Sequence, residues 1–417
     1  MKNWSFKIDN DKSINLVLNG KKNAYSLNYN EKEIPQINEE SIIHFDNEKD
    51  ACKIKIIDYK ILKFKDVTLD EALLEGYSSL DIWKKKYLDL FKKTNSSFNE
   101  ENIIIFVIFK VTNNFVKERL ELGKKIANLN LDLFNKIESL YEINAGFNNT
   151  LFSVNNKYII KVCTNTELEI SFEKEYNFYK SNSSNKSIPK LYKYDNTKKE
   201  VNYLYEIIEK LNGNTLYYYW YKMNEIEREE TIKKLISIIK SFHNIKANEY
   251  DWAKVIKEEI QKRIKDNKDL FSDEDYDIII KSLNKYDEIL KDNYFALIHN
   301  DLHFDNIIYD NGNIKIIDFN DCLSAPIDFE FRQLYICQYK PWKWANIEMD
   351  PYQKEKDYKN IWNYIKKYYD KLNDINYLEE RMIIYRIWND SEHLKKYHSK
   401  ELIDSVVENS KKILELK

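Results

Sequence analysis

The sequence contains little glycine and little cysteine, and both shortages limit what the chain can be. Only six glycines occur among the 417 residues, far below the usual share of about 7%, so those that remain are expected where the backbone needs them. The four cysteines, Cys52, Cys163, Cys322 and Cys337, show no C-x-x-C spacing. Each is therefore expected to pack as a small apolar residue in a reducing compartment.

The sequence also lacks an excess of positive charge and a long apolar run. The formal net charge is −3, so no overall basic field indicates nucleic acid or an anionic membrane as a partner. The N-terminus has no apolar signal-peptide core, and the longest apolar run, at 103–109, is far too short to span a bilayer. These absences predict a cytoplasmic protein with no membrane partner. The length predicts two or three domains.

The most informative stretch covers residues 299–321. An Asn-Gly pair at 311–312 stands between two β-branched apolar runs, and this dipeptide is the strongest short-range signal for a type I′ hairpin turn. Counting back from that turn brings Asn306 and Asp318 together at the open end of the hairpin. Two oxygen donors so placed can share a hard cation, and Mg²⁺ needs few protein ligands. The sequence therefore predicts a metal site with Asn306 and Asp318 as ligands.

The spacing of polar residues in this stretch matches the catalytic loop of protein kinases. That loop reads H-R-D-L-x-x-x-N and is followed by D-F-G, with the first Asp as base and the Asn and the second Asp on the metal ions. Here His299, Asp301 and Asn306 keep the spacing, and Asp318 begins a D-F-N sequence. Asparagine thus replaces both the arginine and the glycine of the kinase pattern. Asp301 is the predicted catalytic residue.

These departures, together with Asp321, resemble the aminoglycoside phosphotransferase and choline kinase-like superfamily. Its catalytic loop reads roughly H-G-D-x-x-x-x-N, and its metal strand ends in I-D-F-x-D. The resemblance implies a bilobal protein-kinase-like fold, with a small β-rich N-lobe at 136–211 and a large helical C-lobe at 212–417. It also implies Mg²⁺-dependent transfer of the γ-phosphoryl group of ATP or GTP to a hydroxyl of a small molecule.

The same resemblance implies a nucleotide site. The matching positions are Gly146, Phe147 and Asn148 in the phosphate loop, Lys161 at a strand end, Glu175 in the next helix, and Ile208, Glu209 and Leu211 at the hinge. Lys161 follows an apolar strand, as does the lysine that reaches the α- and β-phosphates in kinases. Glu175 would steady this lysine, with Glu173 as the alternative. The adenine would dock on the hinge backbone.

Residues 1–113 predict a separate β-rich domain. Alternating segments at 13–19, 52–64 and 103–111 predict strands, and a helix is predicted after Thr68 as N-cap. The segments at 16–25, 63–68 and 75–83, with the closing strand to 111, resemble the ASCH domain. That family has a small PUA-like β-barrel and is associated with RNA-linked functions.

The ASCH resemblance implies a cleft site. By position, its lysine would be Lys22, or else Lys21, and its glutamate would be Glu75; some relatives hydrolyse an amide on a modified nucleoside. Asn23 and Tyr25 stand where the family more often has hydroxyl residues. This difference favours ligand binding over hydrolysis, and solvated lysines with a helix-end glutamate remain the alternative interpretation.

Together these patterns predict an α+β protein: an ASCH-like β-barrel at 1–113, a connecting helix at 114–135 and the kinase-like lobes. The favoured function is phosphoryl transfer to a small-molecule hydroxyl. The alternative is an RNA- or nucleoside-directed protein, in which the kinase-like part acts on the ASCH ligand or senses ATP. The acceptor stays open among an aminoglycoside, choline, homoserine and a sugar. Carboxylates available for an aminoglycoside's ammonium groups are Asp273, Glu274, Asp275, Asp350, Asp390 and Glu392. No oligomer signal is present.

Overall fold

The structure is a computed structural model with two compact units. It describes residues 2–31, 34–46, 48–143, 149–245, 247–291, 293–345 and 349–416. The first unit comprises Met1–Asn165 and Asp195–Tyr205, and the second comprises Thr166–Tyr194 and Glu206–Lys417. Helices and strands are both present in each unit, so the fold is α+β, as predicted.

The first unit begins with a five-stranded curled sheet, a half-barrel. Its strands are β1 (Lys2–Trp4), β2 (Ala24–Asn28), β3 (Glu40–His44), β4 (Asp50–Lys63) and β5 (Ile103–Asn114). They lie in the order β1-β3-β4-β5-β2, with β1 parallel to β3 and the other pairs antiparallel. The long β4–β5 pair has register shifts after Lys53 and after Ile56. Such bulges bend a strand pair, so they contribute to the curl around the core.

The strand predicted at 13–19 is wrong, because these residues belong to helix α1 (Asn10–Leu18). Ile14 and Val17 are buried, and their spacing of three places them on one helical face. The Asn10 side chain accepts a hydrogen bond from the backbone N–H of Phe6 at 2.8 Å. The apolar residues fit both a strand and a helix period, and packing against the sheet selects the helix.

The helix predicted after Thr68 is confirmed, but it ends after two turns. Helix α2 (Leu69–Leu74) begins with a capping box between Thr68 and Glu71. A second helix, α3 (Leu80–Thr94), then begins after Ser79, whose side chain accepts from the backbone N–H of Ile82. The two helices cover the second core of this domain, which is rich in aromatic side chains.

The described residues of 115–162 in the first unit form two helices and three strands. These elements are α4 (Phe115–Asn128), α5 (Leu131–Phe134), β6 (Leu140–Ile143), β7 (Thr150–Val154) and β8 (Tyr158–Val162). Strands β6, β7 and β8 are antiparallel neighbours, and the turn between β7 and β8 has positive φ at both Asn155 and Asn156. Arg119 of α4 donates to Glu142 Oε1 at 2.8 Å and to the carbonyl of Asp50 at 2.7 Å. The curled sheet and the β6–β8 strands are therefore tied through α4.

Most of the remaining chain is helical. Its helices are α6 (Glu169–Ser181), α7 (Tyr217–Trp220), α8 (Glu225–His243), α9 (Trp252–Asp266), α10 (Asp273–Ser282), α11 (Tyr286–Ile289), α12 (Arg332–Cys337), α13 (Ile361–Tyr368), α14 (Leu378–Tyr397) and α15 (Lys400–Leu414). Its strands are β9 (Leu191–Asp195), β10 (Tyr205–Glu209), β11 (Asn214–Thr215), β12 (Phe295–Ile298), β13 (Ile307–Asp310), β14 (Asn313–Ile316) and β15 (Leu323–Pro326). No helix in the described residues is both long and apolar enough to cross a membrane.

Helix α8 illustrates how the helical part is built. Asn224 and Glu227 form a capping box at its start. Its apolar residues from Ile232 to Phe242 are buried on one face. Ile226 is 75% exposed, because at about 100° per residue it lies on the opposite side of the helix from Leu235 and Ile239.

Candidate active site

The hairpin predicted around residues 311–312 is confirmed. Strands β13 and β14 pair with Asp310 opposite Asn313, and both turn residues have positive φ, 48° and 86°, as a type I′ turn requires. The backbone N–H of Ile317 donates to the carbonyl of Asn306 at 3.0 Å. Asp318 follows directly after Ile317, so the two predicted metal ligands lie at the same end of the hairpin.

Asp301, the predicted catalytic residue, is fixed at both carboxylate oxygens. Gln333 Nε2 donates to Oδ1 at 2.7 Å, and Asn306 Nδ2 donates to Oδ2 at 3.0 Å. His303 Nε2 lies 3.4 Å from Oδ2. Burial raises the pKa of Asp301. The hydrogen bond and the charge of His303, together with the hydrogen bond from Gln333, outweigh burial and hold this pKa well below its usual range. The side chain is therefore a carboxylate at neutral pH.

The side-chain amide of Asn306 is oriented by Asp301. Its Nδ2 donates to the Asp301 carbonyl at 2.8 Å as well as to the carboxylate. Because an amide has one nitrogen and one oxygen, this leaves Oδ1 as the oxygen that Asn306 can offer to a cation.

Two further carboxylates indicate how much negative charge collects at this end of the hairpin. Burial, opposed in part by His303, raises the pKa of Asp305, and the charges of Asp301 and Asp318 raise it further. Burial followed by the same two charges raises the pKa of Asp321. A divalent cation would relieve this repulsion, so the residues fit the predicted Mg²⁺. The described part of the chain holds no group of three or more His, Cys, Asp or Glu side chains suited to a metal, and Mg²⁺ commonly takes one or two carboxylates with water and phosphate oxygens.

His299 connects the loop that carries Asp301 to the end of the β13–β14 hairpin. Its Nε2 lies 2.8 Å from the carbonyl of Ile317, and its Nδ1 accepts from the backbone N–H of Asp301 at 3.2 Å. A carbonyl can only accept, so Nε2 donates to it, and the ring uses both nitrogens for backbone contacts. These contacts give His299 an architectural role in the loop.

Glu330 braces the loop, and the sequence reasoning missed it. Its carboxylate accepts from the backbone N–H groups of His299 at 2.7 Å and Asn300 at 3.2 Å, and it lies 3.3 Å from His243 Nε2. Burial raises the pKa of Glu330, but the hydrogen bond and the charge of His243, with the hydrogen bond from the His299 N–H, outweigh burial and lower it. Asn300 has φ +67°, so these bonds hold the loop in an uncommon conformation.

The superfamily resemblance implies that Asp328 braces the loop, and the structure corrects this assignment. Asp328 accepts from Arg381 Nε at 2.7 Å and from the Tyr385 hydroxyl at 2.8 Å, all within the helical core. Two acidic residues in one short segment look alike in the sequence. Only the packing of α14 against this segment separates their roles.

The predicted nucleotide residues fall in both units. Lys161 is buried on β8 and lies opposite Leu151 in the strand register. Glu175 of α6 is fully buried and accepts from the Tyr179 hydroxyl at 3.1 Å and from the Phe319 N–H at 3.3 Å. The alternative residue, Glu173, is exposed. Gly146, Phe147 and Asn148 lie outside the described residues.

The predicted hinge lies at the end of β10. Ile208 is buried, and Leu211 is partly exposed just after the strand. The Glu209 N–H donates to the Lys190 carbonyl at 2.8 Å, and the Glu209 carboxylate lies 3.2 Å from Lys315 Nζ. Lys315 belongs to β14, so the predicted hinge is connected to the β13–β14 hairpin.

In the first unit, Lys22 and Glu75 lie in direct contact. Lys22 Nζ is 3.3 Å from Glu75 Oε2 and 3.0 Å from its carbonyl, and both residues are buried. Burial lowers the pKa of Lys22, and the charge of Glu75 opposes this. Lys21, the alternative, is exposed.

Glu75 accepts three more hydrogen bonds, from Ser26 Oγ at 2.7 Å, from Trp83 Nε1 at 2.8 Å and from the Tyr87 hydroxyl. The Ser26 hydroxyl was missed by the sequence reasoning, which looked for hydroxyl groups at Asn23 and Tyr25. Strand β2 carries Ser26 into contact with Glu75, and only the fold reveals this.

Comparison with known proteins gives two family matches. The profile described as ASCH domain matches residues 2–113, and the profile described as Phosphotransferase enzyme family matches residues 139–349. No curated protein matches the chain.

Among solved structures, the GDP complex of aminoglycoside 2'-phosphotransferase-IIIa is 13% identical to this chain and has a TM-score of 0.52. The matched region covers 71% of this chain and 98% of that protein. The GDP and kanamycin complex of APH(2")-IIia is 14% identical, with coverages of 71% and 98% and a TM-score of 0.50. An ASCH domain from Lactobacillus crispatus JV V101 is 23% identical, with coverages of 27% and 80% and a TM-score of 0.26. At these identities, the first two likenesses establish a shared kinase-like fold.

Proposed function

Because the chain belongs to the phosphotransferase enzyme family and carries an ASCH domain at residues 2–113, we propose that it transfers the γ-phosphoryl group of ATP or GTP to a hydroxyl of a small molecule. The observation that carries the proposal is the setting of Asp301. Its carboxylate is ionised, is held at both oxygens and lies beside Asn306. Positioning and charge neutralisation supply most of the catalysis in this class of reaction.

The proposed step begins with an acceptor hydroxyl hydrogen-bonded to Asp301. The hydroxyl oxygen attacks the γ-phosphorus while its proton passes to the Asp301 carboxylate, and the bond between the γ-phosphorus and the bridging oxygen breaks. The products are a phosphate monoester and a nucleoside diphosphate. Because the pKa of Asp301 is lowered, the carboxylate acts chiefly by orienting the hydroxyl and receives the proton late in the transfer.

Asn306 Oδ1 and the Asp318 carboxylate would hold Mg²⁺, which in this reaction class neutralises charge on the nucleotide phosphates. Lys161 would bind the α- and β-phosphates, and the backbone near Ile208 and Glu209 would receive the base. Glu175 is proposed to steady Lys161.

The acceptor is a small molecule whose identity the proposal leaves to a substrate screen. Two carboxylates offered by the sequence for an aminoglycoside are already engaged. Asp390 lies 3.2 Å from Lys343 Nζ and accepts from Ser405 Oγ at 2.7 Å. Glu392 lies 3.7 Å from Arg263. Neutral sugars, choline, homoserine and nucleosides therefore belong in the screen beside aminoglycosides.

The test measures nucleoside diphosphate release with Mg²⁺ and either ATP or GTP, with each acceptor in turn. We expect acceptor-dependent turnover that falls by roughly 10²- to 10⁴-fold in Asp301→Ala and stops when EDTA removes the metal. Asp269→Asn changes an exposed carboxylate of the same unit and should behave like wild type. Equal turnover in wild type and Asp301→Ala would refute the proposal.

A second function is proposed for the ASCH domain, on the observation that Lys22, Ser26 and Glu75 meet in one buried cluster. It is the binding, or amide hydrolysis, of a modified nucleoside or RNA, with the kinase-like part acting on that ligand or sensing ATP. Titration with acylated nucleosides and short RNA should give saturable binding that Glu75→Gln weakens. Unchanged binding in this variant would place the ligand elsewhere.

A further inference from the structure

Asp301 receives a hydrogen bond from a residue that lies outside every motif considered above. Gln333, on helix α12, donates from Nε2 to Asp301 Oδ1 at 2.7 Å. We propose that Gln333 is a positioning residue that fixes the plane of the Asp301 carboxylate for phosphoryl transfer. This inference depends on the phosphotransferase function proposed above, because it assigns Gln333 a role in that reaction.

The direction of the bond is determined by chemistry. The Asp301 carboxylate can only accept, so the amide nitrogen of Gln333 must face it. The amide oxygen, Oε1, is then buried without a hydrogen-bond partner in the described part of the chain. A buried acceptor left unpaired is unfavourable. Gln333 therefore donates to Asp301 while its own amide oxygen lacks a hydrogen bond. This cost indicates a functional role and not packing alone.

Helix α12 is well placed to hold the loop rigidly. Gln333 is 5% exposed, and its neighbour Arg332 donates from Nη2 to the carbonyl of Asn300 at 2.6 Å. The same short helix therefore contacts the backbone just before Asp301 and the side chain of Asp301. Without Gln333, Oδ1 loses the one side-chain donor that the described residues give it. Rotation of a carboxylate about its last bond is soft, so its plane would be less well defined.

A purely structural role for Gln333 makes a different prediction. In that case the loss of Gln333 would lower stability and would change turnover by the same factor whether or not Asp301 is present. A positioning role acts through Asp301, so its effect should vanish when that side chain is removed. Residues that act as one unit are non-additive in this way.

The experiment compares Gln333→Met, which keeps the length of the side chain but lacks the donor, with Gln338→Met. Gln338 lies at the end of α12 and donates to the Tyr335 carbonyl. With an acceptor from the screen, we expect kcat to fall roughly 10- to 100-fold in Gln333→Met, as misplaced catalytic groups do. The KM for the nucleotide should change by less than about threefold. Gln338→Met should match wild type, and Gln333→Met should have no further effect in an Asp301→Ala background.

Each result is decisive for one of the two proposals. If Asp301→Ala is inactive but Gln333→Met keeps wild-type kcat, the inference about Gln333 fails and the phosphotransferase proposal stands. An equal fractional loss with and without Asp301 also overturns it. If wild type and Asp301→Ala are alike, the proposed function fails and the inference fails with it. Should Gln333→Met not fold, as judged by circular dichroism, Gln333→Leu, which also lacks the donor, carries the same comparison.

Discussion

The close approach of Gly213 to the β13–β14 hairpin allows a quantitative test. Gly213 has φ +92°, and a Cβ atom added to it would lie 2.2 Å from the carbonyl oxygen of Tyr309. The next residue, Asn214, pairs with Tyr309 in the register of β11 and β13. Gly213→Ala therefore combines an unfavourable backbone conformation with a collision against the backbone of β13, the strand that begins just after Asn306.

The expected loss is the sum of these two effects. Positive φ costs a non-glycine residue about 1–2 kcal/mol, and overpacking costs about 1–3 kcal/mol. The free energy of unfolding should thus fall by about 2–5 kcal/mol in Gly213→Ala. Gly312→Ala is the matched control, since Gly312 also has positive φ, +86°, but the nearest atom to its added Cβ is Lys234 Nζ at 3.5 Å. It should lose only the backbone contribution of about 1–2 kcal/mol.

Urea unfolding followed by tryptophan fluorescence measures both losses. We expect Gly213→Ala to be less stable than Gly312→Ala by about 1–3 kcal/mol and to lose phosphoryl transfer if β13 shifts. Equal losses in the two variants would refute the close approach on which the reasoning depends.

Three further predictions concern buried charges. The pKa of Glu330 is lowered, so the stabilisation that its carboxylate provides is present above about pH 5 and is lost as pH falls through the folded-state pKa. Urea midpoints should therefore drop more steeply on acidification in wild type than in Glu330→Gln. Parallel curves for the two proteins would contradict this. Arg381→Met leaves Asp328 buried without its cation and should lower the free energy of unfolding by about 3–5 kcal/mol. A loss under about 1 kcal/mol in urea titrations would instead mean that water replaces the arginine. Lys22→Met and Glu75→Gln should each destabilise the protein, and the double variant should lose less than their sum; additive losses would show that the pair is not coupled.

Local chemistry explains which parts of the site could be predicted. An Asn-Gly turn needs only its own two residues to fix a hairpin, and the spacing from His299 to Asn306 lies within one loop. Gln333 and Glu330 act on this loop from about 30 positions further along the chain. Nothing near them in the sequence marks that contact.

Helix α1 shows the opposite difficulty. Its apolar residues fit a strand period as well as a helical one, and the choice was made by the core between α1 and the sheet. Ser26 was overlooked for a similar reason, because its partner Glu75 lies 49 residues away. In both cases, tertiary contacts supply what local pattern lacks.

Arg119 has a consequence for how the protein can be divided. The phosphotransferase match begins at residue 139, but contacts within the folded chain cross this position. A fragment that starts there would lack the Arg119 guanidinium and the Lys49 ammonium, which lie 2.8 Å and 3.6 Å from Glu142. The β6–β8 strands would also lose α4 as their cover. Helix α4, which follows the ASCH match, therefore belongs with the strands that begin the phosphotransferase match, and a cut between the two matches should fall before α4 and not after it.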